Sequence, residues 1–185
     1  METKETLRKL VHERRGQAAS SDLVKDSEII FRKILLMNEY FISGSIYAYV
    51  DYNNEVMTRA FISRALGDGK KVAVPRVEGD RMAFYYIDSL KSLKESPRGI
   101  MEPPKGADPA DSEAALMIMP GVAFDPKCHR IGYGGGCYDK YLAEHPEHYT
   151  IAVAFDFQVF DEVPHEEHDF RPNCLITESR RFLRH

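Results

Sequence analysis

The sequence predicts an α/β fold, a three-layer arrangement in which helices cover both faces of a mostly parallel sheet. Short β-branched or aromatic segments alternate with helical ones, which is typical of this class. Several strand segments are continuously apolar, as strands buried on both faces are. With 185 residues, 43% of them apolar, the chain suffices for one sizeable core. Ligands of such folds bind beyond the carboxyl ends of the strands, so residues that follow strands are the first site candidates.

The chain opens with two predicted helices. Apolar residues recur at helical spacing in the first helix, at Leu7, Leu10, Val11 and Ala18. The segment Ser20–Asp22 supplies cap candidates for a second helix, which runs to about Met37.

Strands and helices then alternate. A strand, a helix that ends in LGDG and a second strand form a βαβ unit, and a further helix begins near Tyr138. The predicted strands are Ser45–Val50, Lys71–Pro75, Arg81–Ile87, Leu116–Pro120, Thr150–Phe155 and Cys174–Thr177. The segment Ser89–Asp111 holds four of the ten prolines and lacks a clear period, so we expect a loop there, and long loops are often functional.

Composition excludes several classes of function. The formal charge of -4 and the pI near 6.0 give no general attraction to nucleic acid or to an anionic membrane. No apolar run approaches the roughly 20 residues of a membrane span, and METKETLRKL lacks the apolar segment of a signal peptide. The cysteines are odd in number and never closely paired, so we expect free thiols and a cytoplasmic protein. They are Cys128, Cys137 and Cys174.

The segment RIGYGGGCYDKYL, Arg130–Leu142, places four glycines in five positions ahead of a helix. Consecutive glycines let several amides point at one ligand, and a helix N-terminus favours an anion. The dinucleotide fingerprint needs glycine at Cys137, and the P-loop needs a Lys-Ser/Thr pair that is missing. A tight strand-to-helix turn is the alternative. Arg130 before the glycines and Asp139 after them favour phosphate and Mg²⁺.

Two further charged segments are candidates. On a helical wheel Lys4, Arg8 and Arg15 fall within about 40°, which indicates either a cleft rim or a solvated charged face. The segment VPHEEHDFRPN, which contains His165, Glu166, Glu167, His168 and Asp169, lacks HExxH and a nearby thiol. A solvated acidic loop is therefore favoured over a zinc site. A Mg²⁺ site formed by Asp169 and Asp139 is the other candidate, because Mg²⁺ needs only one or two carboxylates in addition to phosphate oxygens. The absence of a GxSxG elbow argues against covalent catalysis.

The stretch MPGVAFDPKCHRIGYGGGCYDKYL, Met119–Leu142, closely resembles the signature of the 5-formyltetrahydrofolate cyclo-ligase family, also called methenyltetrahydrofolate synthetases. The resemblance extends to the N-terminal helix and to NEVMT, VAVPRV and VPHEEHD. It implies one Rossmann-like domain over residues 1–185, similar to sugar-phosphate isomerase and CoA-transferase domains. It also implies that ATP and Mg²⁺ are used to close 5-formyltetrahydrofolate into 5,10-methenyltetrahydrofolate, through a phosphorylated formyl group, with release of ADP and phosphate.

The resemblance also assigns residues. Those implied for ATP are Lys4, Arg8, Arg130, Ile131, Gly132, Tyr133, Gly134, Gly135, Gly136, Cys137 and Tyr138, with Arg130 also catalytic. Those implied for folate are Val50, Glu55 and Tyr133 to Cys137, and those for Mg²⁺ are Asp139 and Asp169. The sequence departs from the family at Cys137, usually aromatic, and at Asn173, often a carboxylate.

Other functions remain open at this stage. A sugar-phosphate isomerase or a CoA-ester enzyme would have the same kind of α/β fold. A non-catalytic sensor of nucleotide or folate would keep the glycine-rich segment but catalyse no reaction. Small-molecule substrates are expected, with no nucleic acid or membrane partner. Since nothing in the sequence demands a partner chain, we expect a monomer.

Overall fold

A computed structural model describes residues 1–185, with a seven-stranded sheet at its centre. The helices are α1 (Lys4–Gln17), α2 (Ser20–Leu35), α3 (Asn38–Ile42), α4 (Arg59–Gly67) and α5 (Cys137–Glu144). The strands are β1 (Ser45–Ala48), β2 (Lys71–Glu78), β3 (Arg81–Ile87), β4 (Lys94–Glu95), β5 (Met101–Glu102), β6 (Leu116–Met119), β7 (Ala123–Phe124), β8 (Arg130–Ile131), β9 (Thr150–Val153), β10 (Cys174–Ile176) and β11 (Arg181–Leu183).

The order of the central sheet is β11-β10-β9-β6-β1-β2-β3. The five inner strands are parallel to one another, and the two edge strands, β3 and β11, are antiparallel to their neighbours. The prediction of a mostly parallel α/β sheet is therefore confirmed. The likeness to Rossmann-like domains stays a prediction. The order in which successive strands are added to the sheet changes direction at β1, because β2 lies on one side of β1 and β6 lies on the other.

Successive residues of each inner strand point to opposite faces, which produces two cores. In β6, Leu116 and Ile118 pack in the core beneath α2 and α4, whereas Met117 and Met119 pack in the core that includes Leu142 of α5. All four side chains are fully buried. This continuous burial explains why the inner strands are apolar throughout.

Helix α1 packs over the small β7–β8 hairpin rather than over a face of the central sheet. Leu7 and Val11 form a third core with Val122, Ala123 and Ile131. The helix begins after Thr3, whose hydroxyl accepts a hydrogen bond from the Thr6 amide at 3.1 Å. Its charged residues are therefore brought close to the glycine-rich segment that follows β8.

Several predicted strand boundaries differ from the structure: β2 runs on to Glu78, and β9 ends at Val153. Two other differences have identifiable reasons. Strand β1 ends two residues early because the buried Thr58 hydroxyl bonds the Tyr49 carbonyl and the Asp51 amide, which turns the backbone out of the sheet. The predicted loop Ser89–Asp111 contains the β4–β5 pair, and Arg76 of β2 ties it down by donating to two proline carbonyls, at 2.8 and 2.7 Å. Across the whole chain, no helix combines the length and apolar character that crossing a membrane requires.

Candidate active site

A cavity of about 760 Å³ opens beyond the carboxyl ends of β1 and β6, where the strand order changes direction. Every site residue that the resemblance implies lines this cavity. They are Lys4, Arg8, Val50, Glu55, each residue from Arg130 to Asp139, and Asp169. The chain thus brings together the helix α1, the segment after β1, the glycine-rich loop and the loop before β10.

The glycine-rich loop, Gly132–Gly136, connects β8 to α5. Gly134 and Gly136 have φ values of 106° and 67°, and Gly136 is the residue that caps the start of α5. Side chains rarely adopt this left-handed conformation, so glycine is required at both positions. The Gly132 carbonyl accepts a hydrogen bond of 2.8 Å from Arg8 Nε, which fixes the loop to α1.

Arg130 is a fixed cation at the base of the cavity. Its Nε donates to the Pro120 carbonyl at 2.9 Å, and its guanidinium lies 5.3 Å from the centre of the Tyr138 ring. Burial lowers the pKa of Arg130, and the negative charges of Asp139 and Asp169 oppose that shift. A buried guanidinium held in this way presents positive charge without first having to order a flexible chain.

Asp139 and Asp169 have the chemistry of a magnesium site. Asp139 Oδ1 accepts from the Phe170 amide at 3.1 Å, and Asp169 Oδ2 accepts from Lys4 Nζ at 2.8 Å and the Glu166 amide at 2.9 Å. The second oxygen of each carboxylate makes no hydrogen bond. Burial raises the pKa of Asp169, but the bonds from Lys4 and the Glu166 amide outweigh it, so the pKa lies below its ordinary value. A pair of carboxylate side chains suits a cation that keeps waters and phosphate oxygens as its other ligands.

The three basic residues that the helical wheel groups on α1, which we call the cationic stripe, have different surroundings in the structure. Lys4 and Arg8 line the cavity, as a cleft rim requires. Arg15 does not: it is 4% exposed and lies behind the cavity wall, so neither reading of the stripe holds for it. The helical wheel places Arg15 beside the apolar face, and in the folded chain that face is covered by the loops after β6 and β8.

The cavity also has an apolar wall, of which only Val50 was predicted from the sequence. This wall consists of Val50, Pro75, Val77, Met82, Ile100 and Met101, with Ser96 to Arg98 and Glu102 beside it. Three of the six apolar residues come from the second half of β2 and the start of β3, two come from the β4–β5 segment, and Val50 follows β1. The only signal in the sequence was the proline-rich loop, whose length suggested function without indicating which residues face the site.

Glu55 is a buried carboxyl group on the cavity wall, 7% exposed. Its Oε1 accepts from the Tyr52 amide at 2.8 Å and its Oε2 from the Tyr133 hydroxyl at 2.9 Å. Burial raises the pKa of Glu55 to about 7, although the Tyr133 hydrogen bond and the charge of Arg15 lower it. Near neutral pH the Glu55 carboxyl therefore exchanges between an ionised form, which only accepts hydrogen bonds, and a protonated form, which can donate one.

The His165–Asp169 loop is not arranged around zinc. His165 instead stacks on His129, with ring centres 3.5 Å apart and planes 7° from parallel, and both rings lie beside Asp125. Parallel stacked rings cannot direct their lone pairs at one ion. Asp125 also accepts the amides of Lys127, His129 and Val163, so it braces the loop. The histidine and aspartate cluster therefore positions the segment that carries Asp169.

Cys137 is the first residue of α5 and lines the cavity, partly buried. It is one of three free thiols, and the other two, Cys128 and Cys174, are buried in the core. A thiol covers less area than the ring usual in the family, so Cys137 leaves this part of the cavity less filled. Asn173, the other departure, does not line the cavity: its side chain accepts from the Thr150 amide and hydroxyl.

Replacing Glu55 by glutamine should stabilise the protein increasingly as pH rises. In the unfolded chain the carboxyl ionises near 4.5, but in the folded protein only near 7, so the wild type loses stability as pH rises through this window. The free energy of unfolding of Glu55→Gln relative to wild type should increase by up to about 3 kcal/mol and then level off. Urea unfolding between pH 4 and 8 measures it, with Glu13→Gln on exposed α1 surface as control. A pH-independent difference would contradict the buried carboxyl.

Comparisons with known proteins agree with this geometry. Residues 1–178 match the model of the 5-formyltetrahydrofolate cyclo-ligase family. The 5-formyltetrahydrofolate cyclo-ligase of Mus musculus is 26% identical over 189 residues, 95% of this chain and 93% of its own. That of Mycolicibacterium smegmatis is 31% identical over 153 residues, 75% and 76% of the two chains. The NMR structure of Aquifex aeolicus 5,10-methenyltetrahydrofolate synthetase superposes with a TM-score of 0.86 at 29% identity, over 97% of this chain and 92% of that one. The chain therefore belongs to the 5-formyltetrahydrofolate cyclo-ligase family.

Proposed function

We propose that the protein closes 5-formyltetrahydrofolate into 5,10-methenyltetrahydrofolate at the expense of ATP, releasing ADP and phosphate. The observation that carries this proposal is one cavity with two chemically different ends. At one end lie the glycine amides, three cations and two carboxylates, which suit a triphosphate. At the other lie an apolar wall and the buried Glu55, which suit a flat heterocycle with N–H groups.

The reaction needs positioning and charge neutralisation rather than a protein nucleophile. The formyl oxygen attacks the γ-phosphorus of ATP, and the bond to the bridging oxygen breaks to release ADP. The neighbouring folate nitrogen then attacks the activated carbon and loses its proton, and phosphate leaves with the former formyl oxygen and carries that proton. Arg130, together with Lys4, Arg8 and the amides of the glycine loop, stabilises the charge on the transferring phosphoryl group.

Two carboxylates would hold Mg²⁺ beside the phosphates. Asp139 and Asp169 line the phosphate end and each keeps an oxygen without a hydrogen bond. When bound there, the ion neutralises phosphate charge. Lys4, paired with Asp169 at 2.8 Å, is placed to exchange this carboxylate for a phosphate oxygen when ATP binds.

The folate pterin occupies the apolar end in this proposal. Val50 and the loop Tyr133–Cys137 contact it, and the ionised Glu55 accepts hydrogen bonds from its N–H groups. The β4–β5 segment forms the opposite wall. We further propose that residues 1–185 act as one domain and as a monomer, and that the protein is cytoplasmic, where its three free thiols stay reduced.

The direct test is formation of the methenyl product. Protein, Mg-ATP and 5-formyltetrahydrofolate should give the ultraviolet absorbance of 5,10-methenyltetrahydrofolate together with one ADP per product. Folded protein that binds both ligands without turnover would be a sensor instead. Turnover of a sugar phosphate or CoA ester without ATP would replace the proposal with the isomerase or CoA-ester alternative.

Changing Arg130 to lysine should lower kcat about 10- to 100-fold, because a single ammonium cannot both bond the Pro120 carbonyl and neutralise a phosphoryl group. Steady-state kinetics at saturating substrates measure the change. Arg64→Lys, at an exposed α4 position that pairs with Asp68, is the control and should leave kcat unchanged. A kcat of Arg130→Lys within a few-fold of wild type would refute the catalytic role.

Changing Asp139 to asparagine should raise the Mg²⁺ concentration needed for half-maximal activity at least about tenfold, because the ion loses one charged ligand. A Mg²⁺ titration at fixed ATP measures it. Asp80→Asn, at an exposed position paired with Lys140, is the matched control. An unchanged titration for Asp139→Asn would argue against this carboxylate as a ligand.

A further inference from the structure

Arg15 is the buried cation behind the active-site cavity. One of its terminal nitrogens donates to the Gly121 carbonyl at 3.0 Å and the other to the Tyr133 hydroxyl at 2.8 Å. Its Nε is buried and has no hydrogen-bond partner, the one such side-chain atom in the structure. Leaving a buried donor unpaired costs free energy, so stability alone does not explain this placement.

The hydrogen bonds beyond Arg15 have a defined direction. A guanidinium has donors and no acceptor, so the Tyr133 hydroxyl must accept from Arg15. Its single proton is then directed to Glu55 Oε2, 2.9 Å away. Tyr133 as a whole residue is 53% exposed, whereas its hydroxyl is hydrogen-bonded to Arg15 and Glu55. The result is a chain of hydrogen bonds from α1, through the glycine-rich loop, to the carboxyl group on the cavity wall.

The backbone of the same residue supports the segment that carries Glu55. The Arg15 carbonyl accepts from Asn54 Nδ2 at 3.2 Å. Asn53 and Asn54 have φ values of 53° and 61°, a left-handed conformation that costs free energy for residues other than glycine. Arg15 therefore contacts both loops that bracket Glu55.

The groups that face Glu55 set its charge, and Arg15 is the cation that lowers its pKa. The loop after β1 contributes the Tyr52 amide and the negative charge of Asp51, which raises the pKa. Tyrosine hydroxyls surround the carboxyl from three elements, at Tyr49, Tyr133 and Tyr138. Without Arg15, this cation no longer opposes the effect of Asp51.

We propose that Arg15 is a positioning residue for Glu55: its guanidinium holds the Tyr133 hydroxyl as a donor, and that hydroxyl keeps the Glu55 carboxylate an acceptor directed at the substrate. The inference rests on the proposed function, which gives Glu55 to the folate N–H groups. It adds that Arg15 acts on folate affinity without touching folate. It also gives the Tyr133 hydroxyl a defined part in folate recognition, as the donor to Glu55.

The test compares Arg15→Met, Tyr133→Phe and Arg15→Lys with wild type by kinetics across pH 6 to 9. Arg15→Met removes the charge, and Tyr133→Phe removes the hydroxyl while keeping the ring. In both, the KM for 5-formyltetrahydrofolate should rise about fivefold at pH 7 and recover as pH increases. In Arg15→Met, whose side chain lies behind the cavity wall, kcat and the KM for ATP should stay within about twofold of wild type. Arg15→Lys, which keeps donors and charge, should lie closer to wild type.

Arg14→Met is the matched control. Arg14 neighbours Arg15 on α1 and likewise donates to a backbone carbonyl, that of Phe157, but it makes no hydrogen bond to Tyr133. It should leave the pH dependence of the folate KM unchanged even if it lowers stability. A pH-independent loss of activity in Arg15→Met that tracks its loss of stability would reduce Arg15 to a structural role and overturn the proposal.

A second measurement is independent of turnover. The ¹³C signal of the Glu55 carboxyl, assigned by its absence in Glu55→Gln, should titrate at a pH about one unit higher in Arg15→Met and Tyr133→Phe. Tyr133→Phe alters a half-exposed loop side chain and so preserves the test if Arg15→Met fails to fold. If wild type forms no methenyl product, the proposed function fails. This titration still tests whether Arg15 acts on the Glu55 carboxyl through the Tyr133 hydroxyl. An unchanged titration in Tyr133→Phe would overturn the proposal.

Discussion

The hold of α1 on the glycine-rich loop is the interaction on which the rest of the site depends. A loop with glycines at φ values of 106° and 67° has little conformational preference of its own. Arg8 fixes it by bonding the Gly132 carbonyl, and Arg15 fixes it by bonding the Tyr133 hydroxyl. Both arginines lie on a helix whose apolar side packs on the β7–β8 hairpin, from which the loop emerges. The glycine-rich loop is thus ordered by its contacts with α1, and its backbone amides can face a ligand.

The charges around this loop are balanced before any ligand is present. Lys4 pairs with Asp169, and Arg130 lies 3.8 Å from Asp139. A cation of this kind would be costly to bury without a partner, and a carboxylate likewise. In our proposal the same four groups separate when Mg-ATP binds, the cations going to phosphate oxygens and the carboxylates to the ion. In this proposal the charged side chains exchange one partner for another when Mg-ATP binds, and none of them has to change its charge.

Much of the fold could be predicted from the sequence for local reasons, and about half of the residues that line the cavity could be predicted from the family resemblance. Inner strands such as Leu116–Met119 are apolar on both faces, and the glycine-rich segment is a contiguous motif. Contacts between distant residues could not be predicted. Arg15 meets Tyr133 across 118 residues, and a helical wheel contains no information about that partner. The short β4–β5 pair depends on Arg76 of β2, and the edge strand β11 has only three residues, too few for a pattern.

The measurement that tests the account most directly is an NMR titration of glycine-selective ¹⁵N-labelled protein, which contains 12 glycines, with Mg-ADP. If α1 orders the loop as a phosphate cradle, the amides of Gly134, Gly135 and Gly136 should show the largest shifts, and Cys137 in place of a ring should not prevent them. Shifts confined to Gly79, beside a smaller cleft lined by Arg76, Asp80 and Lys140, with the loop glycines unchanged, would contradict the account.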